Sequence, residues 1–455
     1  MQNIPRLCII EPIDGCFILC VMIKYKITGQ HKLGGEIVLA GAKNSVSKLL
    51  VASLLTEEEC VFAHVPEIGE VEMVVELCRG LGAKVERNGH ELRIKTNSIR
   101  NLESPLTQSR KNRIPILTLG PLLARCGEAE VAHLGGDRLG MRPVDIHLEA
   151  LGRMGAVIEE RADSFFAKAP DGLHGAEISL RLPSVGATEN VMFAAVLAKG
   201  KTIIRNAARE PEVKDLLRFL QKMGAIIELG ANREIYIEGV SRLRGAEHLV
   251  MPDRNEAVSF ACLALASGSR IFVRGAVQDQ LGAFLNAIRK IGGEYEVRED
   301  GILFHRANSL KATRIETDTH PGFMTDWQQP FAVVLSQASG ESFIHETVYE
   351  NRFAYAQDLV AMGANFEVTE KCLGTKPCRF ADQGYMHSGR IIGPTKLHGA
   401  DVEVRDLRSG IVNVIAALIA DGESTISGVQ EIDRGYENLD GRLRSLGADI
   451  KRVDE

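Results

Sequence analysis

Six times from Leu81 onward the chain places a large apolar residue, a glycine and a small residue in a row. The copies are Leu81-Gly82-Ala83, Met154-Gly155-Ala156, Met223-Gly224-Ala225, Ile291-Gly292-Gly293, Met362-Gly363-Ala364 and Leu446-Gly447-Ala448. Their spacing is roughly 70 residues, longer only before the last copy, and so long a period implies a tandem of whole supersecondary units. Each triplet ends a helix. Counting back from Leu81, apolar residues fall at Cys78, Val75, Val74 and Val71; from Met223 they fall at Leu220, Leu217, Leu216 and Val213; from Ile291, at Ile288, Leu285, Phe284 and Leu281. This is the stripe of a helix buried on one side. The glycine suits a left-handed cap, where a Cβ is unfavourable. Alternating stretches such as Ala83-Lys84-Val85-Glu86 and Ala225-Ile226-Ile227-Glu228 then read as strands.

Upstream of each striped helix lies a second helical segment, such as Asn190 to Leu197, and then a strand, such as Lys201 to Ile204. The unit is therefore strand, helix, strand, helix and two strands, with helices packed inward between units. The last copy stops at Asp449-Ile450-Lys451 without its final strand, and Ile23-Lys24-Tyr25-Lys26-Ile27 has the alternation to supply it. The chain then starts in the C-terminal lobe, leaves it near Ala42 and returns near Pro252. The expected domains are a lobe of three units over residues 43–251 and a second over 23–42 plus 252–455, with a ligand cleft between them.

A length of 455 residues suits two or three domains, and a net charge of -6 gives no support for nucleic-acid binding. Nine cysteines without regular pairing suggest reduced thiols in the cytoplasm. The apolar run Cys16 to Met22 is too short to span a bilayer. Residues 1–22 read as an appended, poorly packed extension, and residues 371–396 as an insertion in the fifth unit.

Polar clusters break the repeat. They are Gly41-Ala42-Lys43-Asn44, the Gly-rich stretch Gly135 to Asp145, Pro183 to Asn190, His320 to Asp326, Glu350-Asn351-Arg352-Phe353, Asp406-Leu407-Arg408 and Asp433 to Glu437. Lys43 at a helix start suits an anion. The turn into a helix at Ser184-Val185-Gly186 suits phosphate held by backbone amides. Arg352 falls where other copies have Val71, Val213 or Leu281, and a buried Arg needs a charged partner. Lys43, Arg142, Arg352, Arg408 and Arg434 come from both lobes, which points to a multiply charged anion.

At these residues the chain resembles the enolpyruvyl transferases, and within them the members acting on UDP-N-acetylglucosamine in peptidoglycan synthesis. The resemblance runs from about Ile23 to Asp454. Its most specific motifs are Ser184 to Asn190, Asn206-Ala207-Ala208-Arg209-Glu210-Pro211-Glu212, His320-Pro321-Gly322-Phe323 with Thr325-Asp326, and Ile432 to Glu437. It implies a two-lobed inside-out α/β barrel of six βαβαββ repeats. It also implies transfer of the enolpyruvyl group of phosphoenolpyruvate to the 3-hydroxyl of the amino sugar, the first committed step of cell-wall building, on which cell shape and division depend. Neither metal nor organic cofactor is implied, because protein cations can stabilise the charges.

By the same resemblance, Lys43, Arg142 and Arg434 hold the phosphoenolpyruvate phosphate region, with Arg113, Arg352 and Arg408 completing a cationic cleft. Asp326 is the base on the sugar hydroxyl and orients the sugar with Asn44. Ser184, Val185 and Gly186 bind the diphosphate; Pro143, Val144, Asp145 and Ile146 line the uracil pocket; Val348 contacts substrate. One departure is chemical: Asp137 stands in the mobile loop around 135–143 where many members carry Cys. A free Cys titrates near 8.5 and Asp near 3.9, so Asp137 serves as general acid only if desolvation and substrate charge raise its pKa. That substitution also predicts resistance to the epoxide fosfomycin, which alkylates the loop Cys of relatives.

Asn255 and Val258 depart from the usual pattern at the second crossing, while Asp253 and Arg254 remain. Cys126 reads as a packing residue of an apolar helix. Cys372, Cys378, His387 and His398 have irregular spacing for zinc, and no metal site is expected from them. Trp327, the only Trp, adjoins Asp326 and should report ligand binding. Competing readings are enolpyruvyl transfer to shikimate 3-phosphate or a nucleotide, a non-catalytic UDP-sugar-binding paralogue, and a repeat-built scaffold.

Overall fold

The computed structural model describes residues 23–104, 112–135, 144–306, 308–375, 378–405 and 407–454. The extension 1–22 and the loop carrying Asp137, Arg142 and Pro143 lie outside them. The described residues form six four-stranded sheets of one topology. In one, Glu177–Ser179 runs parallel to Lys201–Arg205, which pairs antiparallel with Ile235–Glu238, itself antiparallel to Ile226–Leu229. Each sheet is hydrogen-bonded within itself, so among the described residues the strands close no barrel and the six sheets pack around helices.

The repeated triplets explain the helix ends. All six glycines take positive φ, between 87° at Gly292 and 110° at Gly82. At Ala83, Ala156, Ala225, Ala364 and Ala448 the next amide donates back to the carbonyl five residues earlier, at 2.9–3.1 Å. That bond turns the chain off the helix and into the outer strand. Any side chain at these glycines would cost about 1 kcal/mol or more.

The missing strand of the sixth unit is Ile23–Thr28. It lies between Glu423–Ser427 and Asp449–Asp454, antiparallel to both, with Tyr25 opposite Ile426 and Arg452. Its neighbour Gly34–Val38 pairs with Arg270–Arg274, while Glu247–Leu249 pairs with Cys60–Ala63, both parallel. A strand on one side of each crossing is thus followed by a helix on the other. The crossings lie side by side: the Ala42 amide donates to Met251 O at 2.7 Å and the Asp253 amide to Ala40 O at 2.8 Å. Gly41 is required here, because a Cβ would sit 1.9 Å from His64 O.

Buried apolar side chains form two cores. One runs from Val46 to Val250; the other joins Tyr25–Leu39 to residues between Ala257 and Ile450. Their centres are the helices Val185–Ala195, Arg254–Ser267 and Gln328–Ser336, buried on nearly every side, with their polar residues gathered toward the N-terminal turns. Such helices are stable only when surrounded. Burial of each Leu, Val or Phe there contributes about 1.5–3 kcal/mol. The sheets lie outside and alternate, as in Lys84–Asn88.

Two readings need correction. The irregular insertion is shorter than 371–396, because Ser388–Gly393 is a regular strand paired with Gly340–His345 and Asn365–Thr369. The extra residues are the hairpin connection 370–387. Cys126 is exposed rather than packed, since it ends the helix Leu119–Cys126 on its open side. Arg434 follows the short helix Val429–Asp433 and precedes the last helix, Leu439–Ser445.

Candidate active site

The crossing builds the floor of the site. Lys43 is the first residue of the helix Lys43–Ala52, whose first turn has neither a side-chain cap nor an acidic residue. Its amides are left to favour an anion. The residue is only 8% exposed and its Nζ lies 3.1 Å from Asp253 Oδ2. Burial opposes the charge, but Asp253, Tyr436 and Glu256 outweigh it and hold the ammonium above its ordinary range. The Tyr436 ring lies 4.9 Å beneath Nζ, and burial pushes its hydroxyl up to about 12. Asp253 also caps the helix Arg254–Ser267, accepting from the amides of Asn255 and Glu256. Asn44, half-buried, follows Lys43 in the same turn.

Asn255 acquires a role here. Its Oδ1 accepts the indole N–H of Trp327 at 3.0 Å, which ties the crossing to the Thr325–Trp327 turn. Asp326 in that turn is paired with Arg352 Nη2, and Arg352 Nε donates to Thr325 Oγ1 at 3.1 Å. Arg352 is 1% exposed and, among the described residues, its Nη1 finds no partner. It fills a buried position, but on the irregular segment before the short helix Ala356–Ala361 rather than within a helix. Glu346 holds this corner: its carboxylate accepts from Thr325 Oγ1, Gln328 Nε2 and the amides of Val348 and Tyr349. Burial raises its pKa against the pull of Arg352.

In the other core two helix starts converge, Asp145–Arg153 and Val185–Ala195. They meet at Gly186, where a Cβ would lie 3.0 Å from His147 Cε1. Burial lowers His147 to about 3, with Arg113 adding to the effect, so the ring is neutral at pH 7. Arg113, Val144, Asp145, Ile146, Ser184, Val185 and Gly186 therefore share one corner. Ser184 caps its helix by accepting from the Ala187 amide at 3.3 Å. Arg181 pairs with Asp145 at 2.7 Å.

Ionic contacts join the cores. Arg254, 2% exposed, binds Glu212 through Nε and Nη2 at 2.8 and 2.9 Å. Arg233 donates to His320 O at 2.7 Å. Arg434 Nη2 reaches Glu70 at 3.3 Å and Nη1 reaches Glu431 at 2.6 Å. Arg434 thus takes part in the contact between the cores, where its side chain also lies against Gly69. The backbone of Arg408 lies in the helix Leu407–Ile419; its side chain is outside the description. Glu346 and His147 carry no sequence signal beyond being polar beside a motif, and Glu212, which closes the motif begun by Asn206, has nothing in the sequence to name Arg254 as its partner.

A buried lysine at an uncapped helix start, a carboxylate paired with a buried Arg, and two helix N-termini converging in the other core offer the fixed positive charge that group transfer between anionic substrates uses. The sequence profile of EPSP synthase (3-phosphoshikimate 1-carboxyvinyltransferase) matches residues 27–443, and the chain belongs to this enolpyruvyl transferase family. It is 48% identical to the UDP-N-acetylglucosamine 1-carboxyvinyltransferase of Protochlamydia amoebophila, over 94% of each chain. It is 42% identical to the protein of that name from Granulibacter bethesdensis, over 95% of this chain and 100% of the relative. Among solved structures it superposes on the enolpyruvyl transferase NikO from Streptomyces tendae with TM-score 0.84 at 23% identity, covering 96% of this chain and 100% of that one. For EPSP synthase from Acinetobacter baumannii the TM-score is 0.72 at 16% identity, with 95% and 100% covered. At those identities the two superpositions speak for the fold. No helix among the described residues is long and apolar enough to cross a membrane.

Proposed function

We propose that the protein transfers the enolpyruvyl group of phosphoenolpyruvate to the 3-hydroxyl of UDP-N-acetylglucosamine and releases phosphate. The observation that supports this reading is the Asp326–Arg352 pair, a carboxylate bound to a buried guanidinium whose Nη1 finds no partner among the described residues. Asp326 takes the proton of the sugar hydroxyl as its oxygen bonds to the central carbon of phosphoenolpyruvate. Asp137 delivers a proton to the methylene carbon. Phosphate then leaves, a proton is lost from the new methyl group, and the double bond returns. Lys43 with Arg113, Arg142, Arg352, Arg408 and Arg434 stabilises phosphate and carboxylate. Ser184, Val185 and Gly186 take the diphosphate, Pro143, Val144, Asp145 and Ile146 the uracil, and Asn44 and Val348 the sugar.

The two cores act as lobes, 43–251 and 23–42 plus 252–455, that close on substrate. The setting is the cytoplasm, where the product feeds peptidoglycan and through it cell shape, the cell cycle and division. Phosphate release tests the reading. Release is expected with phosphoenolpyruvate plus UDP-N-acetylglucosamine and not with shikimate 3-phosphate. Release with shikimate 3-phosphate, or tight UDP-sugar binding without any release, would overturn it in favour of another acceptor or a non-catalytic paralogue.

A further inference from the structure

In the first four units the outer hairpins turn within a few residues, as between Lys84–Asn88 and Glu91–Lys95 or Gly293–Arg298 and Gly301–Arg306. The fifth unit instead inserts residues 370–387 between Asn365–Thr369 and Ser388–Gly393. Phe380, packed on Tyr385 and His387, is the one large apolar side chain the described part of this connection buries. A segment with so little core needs another restraint.

We propose that His345, Cys372, Cys378 and His387 form a structural zinc site that fastens this connection to the sheet. Each residue offers one ligand atom, and the four atoms all lie within 4.8 Å of one another. The two imidazoles are 1% and 0% exposed, and both are set up to ligate through Nε2. His387 Nδ1 lies 2.6 Å from Tyr385 O, a carbonyl that can only accept; Nδ1 therefore holds the hydrogen and the Nε2 lone pair faces Cys372 Sγ at 3.2 Å. His345 Nδ1 lies 2.8 Å from Ser388 Oγ, and its buried Nε2 has no hydrogen-bond partner. Outer partners on Nδ1 are the usual means of orienting a metal-bound histidine.

Cys378 Sγ accepts the Phe380 amide at 3.3 Å, an outer hydrogen bond that fixes where the sulfur points. Gly374 lets the chain pass over the His345 ring, since a Cβ there would stand 2.3 Å from its Cδ2. Two thiolates and two neutral imidazoles complete a tetrahedral zinc shell with no net charge, and the two thiol protons go to solvent. A Cys372–Cys378 disulfide would satisfy neither imidazole Nε2. The sequence spacing concealed the set because the fourth ligand comes from the neighbouring strand. His398 is not part of it; its Nδ1 contacts Gly399 O.

The site also borders the proposed catalytic corner. His345 immediately precedes Glu346, and Arg379 of the connection donates to Val348 O. Its occupancy does not depend on which acceptor the enzyme uses, so the two proposals fail separately.

The test uses the full chain, reduced, stripped with a chelator and titrated with Co2+ and then Zn2+. One Co2+ per chain is expected, with tetrahedral d–d absorption and a thiolate charge-transfer band, both displaced by zinc. Zinc should shield Cys372 and Cys378 from alkylation while exposed Cys126 still reacts. Cys372→Ser and Cys378→Ser should each weaken zinc binding by at least about 100-fold, and His398→Ala should not. The shielding measurement needs only wild-type protein, so misfolding of a variant would not blunt the test. An octahedral or absent cobalt spectrum in reduced wild-type protein, unshielded thiols, or unchanged zinc affinity in both cysteine variants would overturn the proposal.

Discussion

Removing the guanidinium of Arg254 tests whether the crossing is held by charge. Arg254 and Glu212 are 1% and 5% exposed as side chains and joined by two hydrogen bonds. With charge centres about 4 Å apart, their attraction is about 4 kcal/mol at an effective dielectric near 20. Desolvating both ions consumes much of that, so the intact pair adds little net stability. Arg254→Met is different, because it strands Glu212 in a buried region that already holds Glu210 and Glu189. The expected cost is about 3–5 kcal/mol. Glu212→Met should cost a similar amount, and the double variant should recover about 2 kcal/mol or more relative to the sum. Urea unfolding followed by Trp327 fluorescence is a suitable assay, since the Arg254 guanidinium lies 5.6 Å from that buried ring. Two cores need not unfold as one, and this signal reads the transition at the crossing. A cost below about 1 kcal/mol for Arg254→Met, or single effects that add within about 0.5 kcal/mol, would refute the reasoning.

Asp326→Asn should lower kcat by about 100-fold to 10,000-fold with KM for UDP-N-acetylglucosamine little changed; an unaltered kcat in the phosphate-release assay would remove Asp326 as the base. Asp137→Asn should cost at least about 100-fold in kcat, while Asp137→Cys should stay active and become sensitive to fosfomycin. Wild-type-like rates for Asp137→Asn, or fosfomycin inactivation of the native enzyme at Asp137, would argue against the acid role. Glu189 is fully buried, and burial raises its pKa from 4.5 to about 8. The folded state therefore holds the proton longer than the unfolded chain. Stability from this group falls between pH 4.5 and 8 and is level outside that window. Glu189→Gln should flatten that slope and gain a few kcal/mol at pH 8; identical pH profiles for variant and wild type would contradict this.

What could be read from the sequence was whatever local geometry dictates. The helix-ending glycines show because each needs positive φ, and Ile23–Ile27 shows because alternation marks a strand. Arg352 stood out because it violates an apolar slot. Pairing across long separations left no such trace. Asn255 looked like a deviation until Trp327 was found donating to it. Glu346 reads as an ordinary residue after a strand, although four donors converge on its carboxylate. The grouping of Cys372, Cys378 and His387 with His345 was hidden because spacing within one segment cannot include a residue of the neighbouring strand. The insertion was drawn too long because the strand Ser388–Gly393, with two glycines, lacks strong alternation.

The seat of Ile23–Thr28 between Glu423–Ser427 and Asp449–Asp454 has a consequence for synthesis. Residues 46–250 can complete their core as they emerge from the ribosome, because that core draws on nothing later in the chain. The strands Ile23–Thr28 and Gly34–Val38 are made before it and cannot be seated until their partners follow. At about 5–20 residues per second, the first of them waits roughly 20–80 s for the chain's last strand. Throughout that interval a nascent polypeptide trails an unpaired β-segment past a finished neighbour. Translation speed therefore sets how long this one segment goes without its partners.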